Sequence, residues 1–450
     1  MRTFSIVFLF LFGLFDVFAQ NTLITIEYDG AGTKEIKLYF IHNPFTLKET
    51  VVATTTAMKG KKGELSIAVS EITHLYLESD DAVKEIYVQP QKNYHLKLES
   101  TGKSFSWLNG SDEGINRQIE QINASCNQFI SKYFKSFSGN IPRGETQKFL
   151  EKLNSDFGSI SAYYIKIYLH YKNAYIKRVS GLTNLKLLVN EYINASPFLY
   201  AHPAYMDFVQ LIADGYMDVF LAGKHGNEAR TLIYENKSYR DLYNVFLRDT
   251  TWKKEAIRHY LLLAGLKELS FNKEFQKSDM VQMLKSASET IKLEPINRWA
   301  KELYLQESRF LVGKPVPDAT FTLSNGKTSR IADYKGKPIY ISYFPKGGYY
   351  AGAELAKLKS LHNKLSGKIH FITILDEIPY ERLDNFANRN SYMWTIGALQ
   401  DKDNFKEIYN ANDDPAFYLI DAKGQTFQIP AEAPSTDVEM QFPALLRIKP

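Results

Sequence analysis

The chain is 450 residues long, with 55 basic against 50 acidic side chains, a formal charge of +5 and an apolar fraction of 44%. That length and apolar content suit about three globular domains, each burying its own core. The balanced charge, without a dense Lys/Arg run, leaves no nucleic-acid footprint, and the 29 tyrosines and 29 phenylalanines are scattered as core and half-buried surface rather than grouped as a stacking platform.

In chain order the first segment is MRTFSIVFLFLFGLFDVFAQ. Arg2 precedes an apolar run from Phe4 to Phe15, and Val17-Phe18-Ala19 supplies a small-x-small cleavage pattern, so residues 1–19 read as a secretory signal peptide and Gln20 as the mature start. The run is shorter than the ~20 residues of a spanning helix and carries Asp16 near its end. No cysteine follows the cleavage pattern to accept a lipid anchor. The expected location is therefore outside the cytoplasm, in the periplasm or cell envelope, where paired cysteines would close into disulfides.

Residues 20–108 read as a β-sandwich-like domain. TLITIEY, EIKLYFI, ETVVATTTAM, ELSIAVS, THLYLES, KEIYVQP and YHLKLES alternate apolar with polar positions and are separated by DGAGTK, KGKKG and PQKN, which favours an antiparallel module of about seven short strands. His42, His74 and His95 lie on or beside these strands without a ligand-spaced partner, so a structural role is expected for each.

At Asn109-Gly110-Ser111 the apolar period lengthens, and residues 109–310 read as a helical domain. Its segments include ETQKFLEKLNSDF, NLKLLVNEYI, PAYMDFVQLIADGYMDVFLAG, KKEAIRHYLLLAGLKEL and EPINRWAKELYLQ, with no fixed repeat period. The single cysteine, Cys126, falls on the stripe formed by Ile115, Ile119, Ile122 and Phe129, the position of a buried, inert thiol. Pro197 and Pro203 mark a loop followed by a helix with proline in its first turn. His202 and His259 have no HExxH or carboxylate context, and no metal site is expected.

From residue 311 to 450 strands and helices alternate. VGKPVPDATFTLSNGKTSRIADYKGKPIYISYF reads as strand, Asn325-Gly326 turn, strand, a short 3-10 piece and a buried central strand. A helix from about Tyr350 to Leu365 follows, then the strand KIHFITIL, a helix near PYERLDNFANR, a segment around NFKEIYNAN, the strand and hairpin PAFYLIDAKGQ, and a helix from about Met440 to Leu446. The layout is α/β with a mixed sheet, so the whole is a multidomain α+β protein.

These last residues resemble the TlpA/ResA-like envelope branch of the thioredoxin superfamily. VGKPVPD is similar to its entry motif, NGKTSRIADYKGKPIYISYF to its hairpin and first core strand, and DDPAFYLIDAKGQ to its cis-proline segment and following hairpin. The family's active-site helix opens with F-W-A-x-W-C-x-x-C-x-x-E, and YFPKGGYYAGAE occupies the same length here. Tyr343 and Phe344 fall on the leading aromatics and Glu354 on the acid. The two cysteines fall on Gly348 and Ala351. Ala356 stands where relatives often carry proline, and Asp414 where they carry a small residue. Pro415 is retained, and the resemblance implies a cis Asp414-Pro415 bond.

Thiol–disulfide exchange needs an attacking thiolate and a second sulfur to resolve the mixed disulfide. Glycine and alanine supply neither, and phenols at Tyr349 and Tyr350 are no redox substitute. Glu354, without thiols to serve, reads as a charge favourable to a helix start. The expected function is a redox-inactive thioredoxin-like protein, not an enzyme, that needs no cofactor or metal and binds a partner protein or extended peptide through Tyr349, Tyr350, Asp414 and Pro415. The alternatives are a purely structural envelope component docked through its β and helical domains, with the groove idle, a thiol–disulfide oxidoreductase family member in name only, without activity, and, on a weak signal, an anion site on backbone N–H groups near Gly347-Gly348.

Overall fold

The computed structural model describes residues 20–80, 82–134, 141–272, 274–345, 351–376, 378–400, 403–409, 411, 415–436 and 438–448. The chain divides into two compact units, Met1–Leu303 and Tyr304–Pro450. It is a mixed α+β multidomain protein with β-sheets first, helices in the middle and an α/β region last.

The first unit opens with β1 (Gln20–Tyr28), β2 (Thr33–Ile41), β3 (Glu49–Met58), β4 (Gly63–Val69), β5 (Thr73–Ser79), β6 (Ala82–Val88), β7 (Asn93–Leu98) and β8 (Phe105–Trp107). They form two four-stranded sheets, ordered β4-β1-β7-β8 and β3-β2-β5-β6. The alternating apolar residues of both, among them Ile24, Ile26, Leu38, Leu77, Ile86 and Leu96, meet in one core. Pairing among these strands is antiparallel except between β1 and β7, which run parallel. The chain between those two visits the second sheet first, so no tight hairpin dictates their relative direction. The three-residue β8 is an addition to the strands read from sequence. It turns back along β7 through the Gly102 corner, which has φ +69 and tethers its N–H to the carbonyl of Glu99.

The helices that follow are α1 (Gly114–Phe134), α2 (Arg143–Phe157), α3 (Tyr163–Val179), α4 (Leu185–Leu188), α5 (Pro203–Ala213) and α6 (Tyr216–Ala222). After them come α7 (Gly226–Thr231), α8 (Tyr239–Phe246), α9 (Glu255–Leu269), α10 (Lys277–Thr290) and α11 (Ile296–Ser308). Pro203 starts α5 as expected. The apolar run PAYMDFVQLIADGYMDVFLAG is two helices rather than one, because Gly215 at φ +66 takes a left-handed conformation that ends the first and starts the second.

The β module and the helices, read as separate domains, share this unit because the β2–β3 loop enters the helical layer. Trp299 Nε1 donates to the His42 carbonyl at 2.6 Å, Asn43 Nδ2 donates to Glu302 at 2.8 Å, and Phe45 packs 4.8 Å from the Tyr260 ring. Full burial of such a phenylalanine is worth about 1.5–3 kcal/mol. His42 is structural as expected, bridging Thr50 at 2.8 Å and Glu302 at 2.9 Å.

The second unit contains β9 (Thr320–Leu323), β10 (Thr328–Arg330), β11 (Ile339–Phe344), α12 (Ala351–Leu365), β12 (His370–Leu375), α13 (Leu383–Asn390), β13 (Thr395–Ala398), α14 (Phe405–Tyr409), β14 (Ala416–Ile420), β15 (Thr426–Gln428) and α15 (Val438–Leu445). One sheet runs β10-β9-β13-β12-β11-β14-β15. β11, β12 and β13 are parallel, and their flanks are antiparallel. Every residue of β11 is buried, as its unbroken apolar run predicts for a strand covered on both faces. Tyr340 and Phe344 face a core that includes α12 and α15, while Ile339, Ile341 and Tyr343 face another with Phe405 and Tyr409. β13 is not among the strands read from sequence. Its Gly397 passes so close to Phe321 of β9 that a Cβ would sit 2.3 Å from the ring, so the strand has no side chain to advertise itself there.

Candidate functional site

The chain leaves β11, crosses to β12 and then β13 on one side, and later returns to place β14 on the other side of β11. The strand order therefore reverses at β11, and crevices of open α/β sheets form at the carboxyl ends of strands at such a reversal. Tyr343 pairs with Ala416, so Pro415 follows the register toward Phe344 and the start of α12. Sequence-distant segments are thereby gathered at one end of the sheet.

Three expected site residues lie within the described chain there. Ala351 is the first residue of α12, half-buried against the core. Glu354 lies in the first turn of α12, half-buried, and accepts the Ser435 N–H at 2.9 Å and the Ser435 hydroxyl. Pro415 is half-buried directly before β14. Gly347, Gly348, Tyr349, Tyr350 and Asp414 lie outside the described residues, and so does the Asp414-Pro415 bond. The cis bonds among described residues are Glu294-Pro295 and Ile429-Pro430.

The backbone beyond Pro415 is largely engaged. β14 is an interior strand, held by β11 on one side and β15 on the other. Beyond β15, Ala431 N–H donates to the Phe417 carbonyl at 2.8 Å, and the Tyr340 hydroxyl donates to the Glu432 carbonyl at 2.9 Å. Burial, reinforced by the carboxylates of Glu354 and Glu432, pushes the Tyr340 phenol well above its ordinary range and keeps it a donor. From Phe417 onward both edges of β14 are engaged, and Ala416 pairs with Tyr343 on the β11 side.

Asp376, just after β12, is a neighbour that the sequence reading missed. It is nearly buried and accepts from Lys406 Nζ at 2.9 Å and the Tyr343 hydroxyl at 3.2 Å. The signal was an acid immediately after the buried strand KIHFITIL.

The one cysteine is not here. Cys126 is in the first unit, on α1, 4% exposed, and burial pushes its thiol up to about 11, with only a small opposing effect from Lys172. This is the buried position expected from its helical stripe. His259 does have a carboxylate context, contrary to the sequence reading. Glu255, one turn earlier on α9, lies 3.4 Å from Nε2, and the Tyr239 hydroxyl is 2.7 Å from Nδ1. Among the described residues no group of three or more His, Cys, Asp or Glu side chains is arranged to hold a metal ion. No helix among them is long and apolar enough to cross a membrane.

No protein-family model matches the chain, and no curated protein does. Solved structures resemble parts of it. A thioredoxin-like protein from Bacteroides caccae is 12% identical, with a TM-score of 0.36, over 69% of this chain and 95% of that one. A thiol:disulfide interchange protein from a Bacteroides species is 17% identical, with a TM-score of 0.28, over 31% of this chain and 93% of that one. The thioredoxin domain of a thiol-disulfide oxidoreductase from Bacteroides vulgatus is 16% identical, with a TM-score of 0.27, over 30% and 99%. At such scores these likenesses assign neither an activity nor a partner to this chain.

Proposed function

We propose that this chain is an exported, redox-inactive thioredoxin-like protein that binds a partner protein or extended peptide at the β11/β14 end of its second unit. The observation that carries the reading is chemical. The sequence contains one cysteine, at position 126, so residues 304–450 hold no thiol and a dithiol/disulfide cycle within the chain has no second sulfur. Retention of a crevice without its chemistry leaves recognition as its use.

Tyr349 and Tyr350 precede α12 and offer large aromatic contacts with hydroxyl handles. Asp414 and Pro415 stand next before β14 in the chain, and pairing of β14 with β11 is described from Ala416 onward. Glu354 supports this rim by fastening the segment before α15 rather than by moving protons. Export rests on the signal-like residues 1–19.

The test is insulin reduction by dithiothreitol with the mature protein added. The expected result is turnover no faster than buffer. Acceleration that persists in Cys126→Ser overturns the redox-inactive reading.

A further inference from the structure

The first unit contains a groove with a volume of about 800 Å³ that none of the foregoing uses. Its walls come from α1, α3, α5, α9 and the β2–β3 loop, segments scattered over more than two hundred residues, and its size is that of small-molecule sites, roughly 300–1,000 Å³.

One side is apolar. Phe45 and Tyr260 are buried in the wall, Leu211 adds an aliphatic surface, and Phe271 at the rim is 61% exposed. The charged residues are unevenly matched. Lys172 is committed to Asp207 at 2.9 Å, and Lys267 Nζ donates to the Phe45 carbonyl at 2.7 Å. Asp214 and Glu268 also line the groove, and neither has an ion-pair partner among the described residues. Asp218, exposed in the first turn of α6, lies outside the lining but close enough to act on Glu268.

We propose that this groove binds an amphipathic organic cation, an aromatic or aliphatic body carrying a primary ammonium, with the ammonium between Glu268 and Asp214 and the body on the apolar wall. The electrostatics agree. Burial first pushes the Glu268 carboxyl up, the hydrogen bond from the Gly215 N–H opposes it, and the carboxylates of Asp214 and Asp218 add further upward effects against a last, opposing one from Lys267. A bound cation relieves that repulsion, whereas a bound carboxylate would add to it. An ammonium placed there meets two carboxylate acceptors, the half-buried Glu268 and the exposed Asp214, at the open side of the groove.

The same chemistry is carried by a free arylalkylamine and by a lysine in a peptide, so both are tested. Calorimetric titration at pH 7 uses 4-phenylbutylamine, its matched carboxylate 4-phenylbutyrate, its matched alcohol, and the peptide acetyl-Leu-Lys-Phe-amide. The expected result is that the amine binds, that the carboxylate and alcohol bind about tenfold or more weakly, and that Glu268→Gln and Asp214→Asn each weaken the amine by about tenfold, the scale of one charged hydrogen bond. Ala264→Phe, which fills the groove from α9, is expected to abolish binding. Melting curves identify any variant that is misfolded, and the two carboxylate variants then carry the test without it. Tighter binding of the peptide than of the amine assigns the cation to a polypeptide, and the reverse assigns it to a small molecule. The proposal is overturned if the amine does not bind, if the carboxylate binds equally well, or if the amine binds both well-folded carboxylate variants as tightly as wild type.

Discussion

Ser435 donates both its backbone N–H, at 2.9 Å, and its hydroxyl to the carboxylate of Glu354, 81 residues earlier in the chain. This is a charge-assisted pair of bonds from the first turn of α12 to the segment leading into α15. It accounts for an acid at a helix start that has no thiol to serve.

Removal of that acceptor should therefore loosen the rim rather than alter any chemistry. Glu354→Ala is expected to cost about 1–2 kcal/mol in urea unfolding and to speed hydrogen exchange of the amides around Ser435, while Glu354→Gln recovers part of the loss. Unchanged exchange at Ser435 would refute the tether.

The alignment of the helix start is testable by restoring the sulfurs. Gly348→Cys with Ala351→Cys places one thiol on the first residue of α12 and the other three residues earlier in the sequence, a spacing that allows an internal disulfide if the register is right. Mild oxidation should close an internal disulfide, detected by a mass loss of two hydrogens and loss of thiol labelling. A double variant that never closes would show that the register is misplaced.

His202 supplies a pH prediction. It is 8% exposed between Tyr164 and Tyr171, and neither ring nitrogen has a hydrogen-bond partner of good geometry. Burial, only partly opposed by nearby backbone, and with His74 and Lys172 adding positive charge, lowers its pKa from 6.5 to about 4. The unfolded chain thus takes up this proton below pH 6.5 while the folded chain resists until about 4. Stability from this residue is present above pH 6.5 and is lost as pH falls toward 4, by on the order of 3 kcal/mol in total. Urea unfolding at pH 7 and 4.5 should show a drop in wild type that shrinks in His202→Phe. Equal drops in both proteins would refute it.

The elements most legible in the sequence were those whose burial follows a simple period. β11 announced itself by six consecutive buried positions, and Cys126 by its stripe of isoleucines. β8 and β13 are three and four residues long, too short for alternation to register. The break at Gly215 was written as Asp-Gly within an apolar run but outweighed by that run. Glu255 was visible one turn before His259 and overlooked. The partner of Glu354 and the groove walled by Phe45, Asp214 and Glu268 were not legible, because they join positions that only tertiary packing brings together.

Partner recognition at the β11/β14 end of the second unit is a proposal that one experiment tests directly. The most direct measurement is capture of a crosslinked partner from the native envelope by wild type and by Tyr349→Ala, Tyr350→Ala and Asp414→Ala, each first checked for an unchanged melting temperature. Each variant is expected to weaken capture of the same partner by about 1–2 kcal/mol, as truncated interface contacts commonly do. Capture of that partner by all three variants as tightly as by wild type would contradict it and move the docking surface to the β module or the helices.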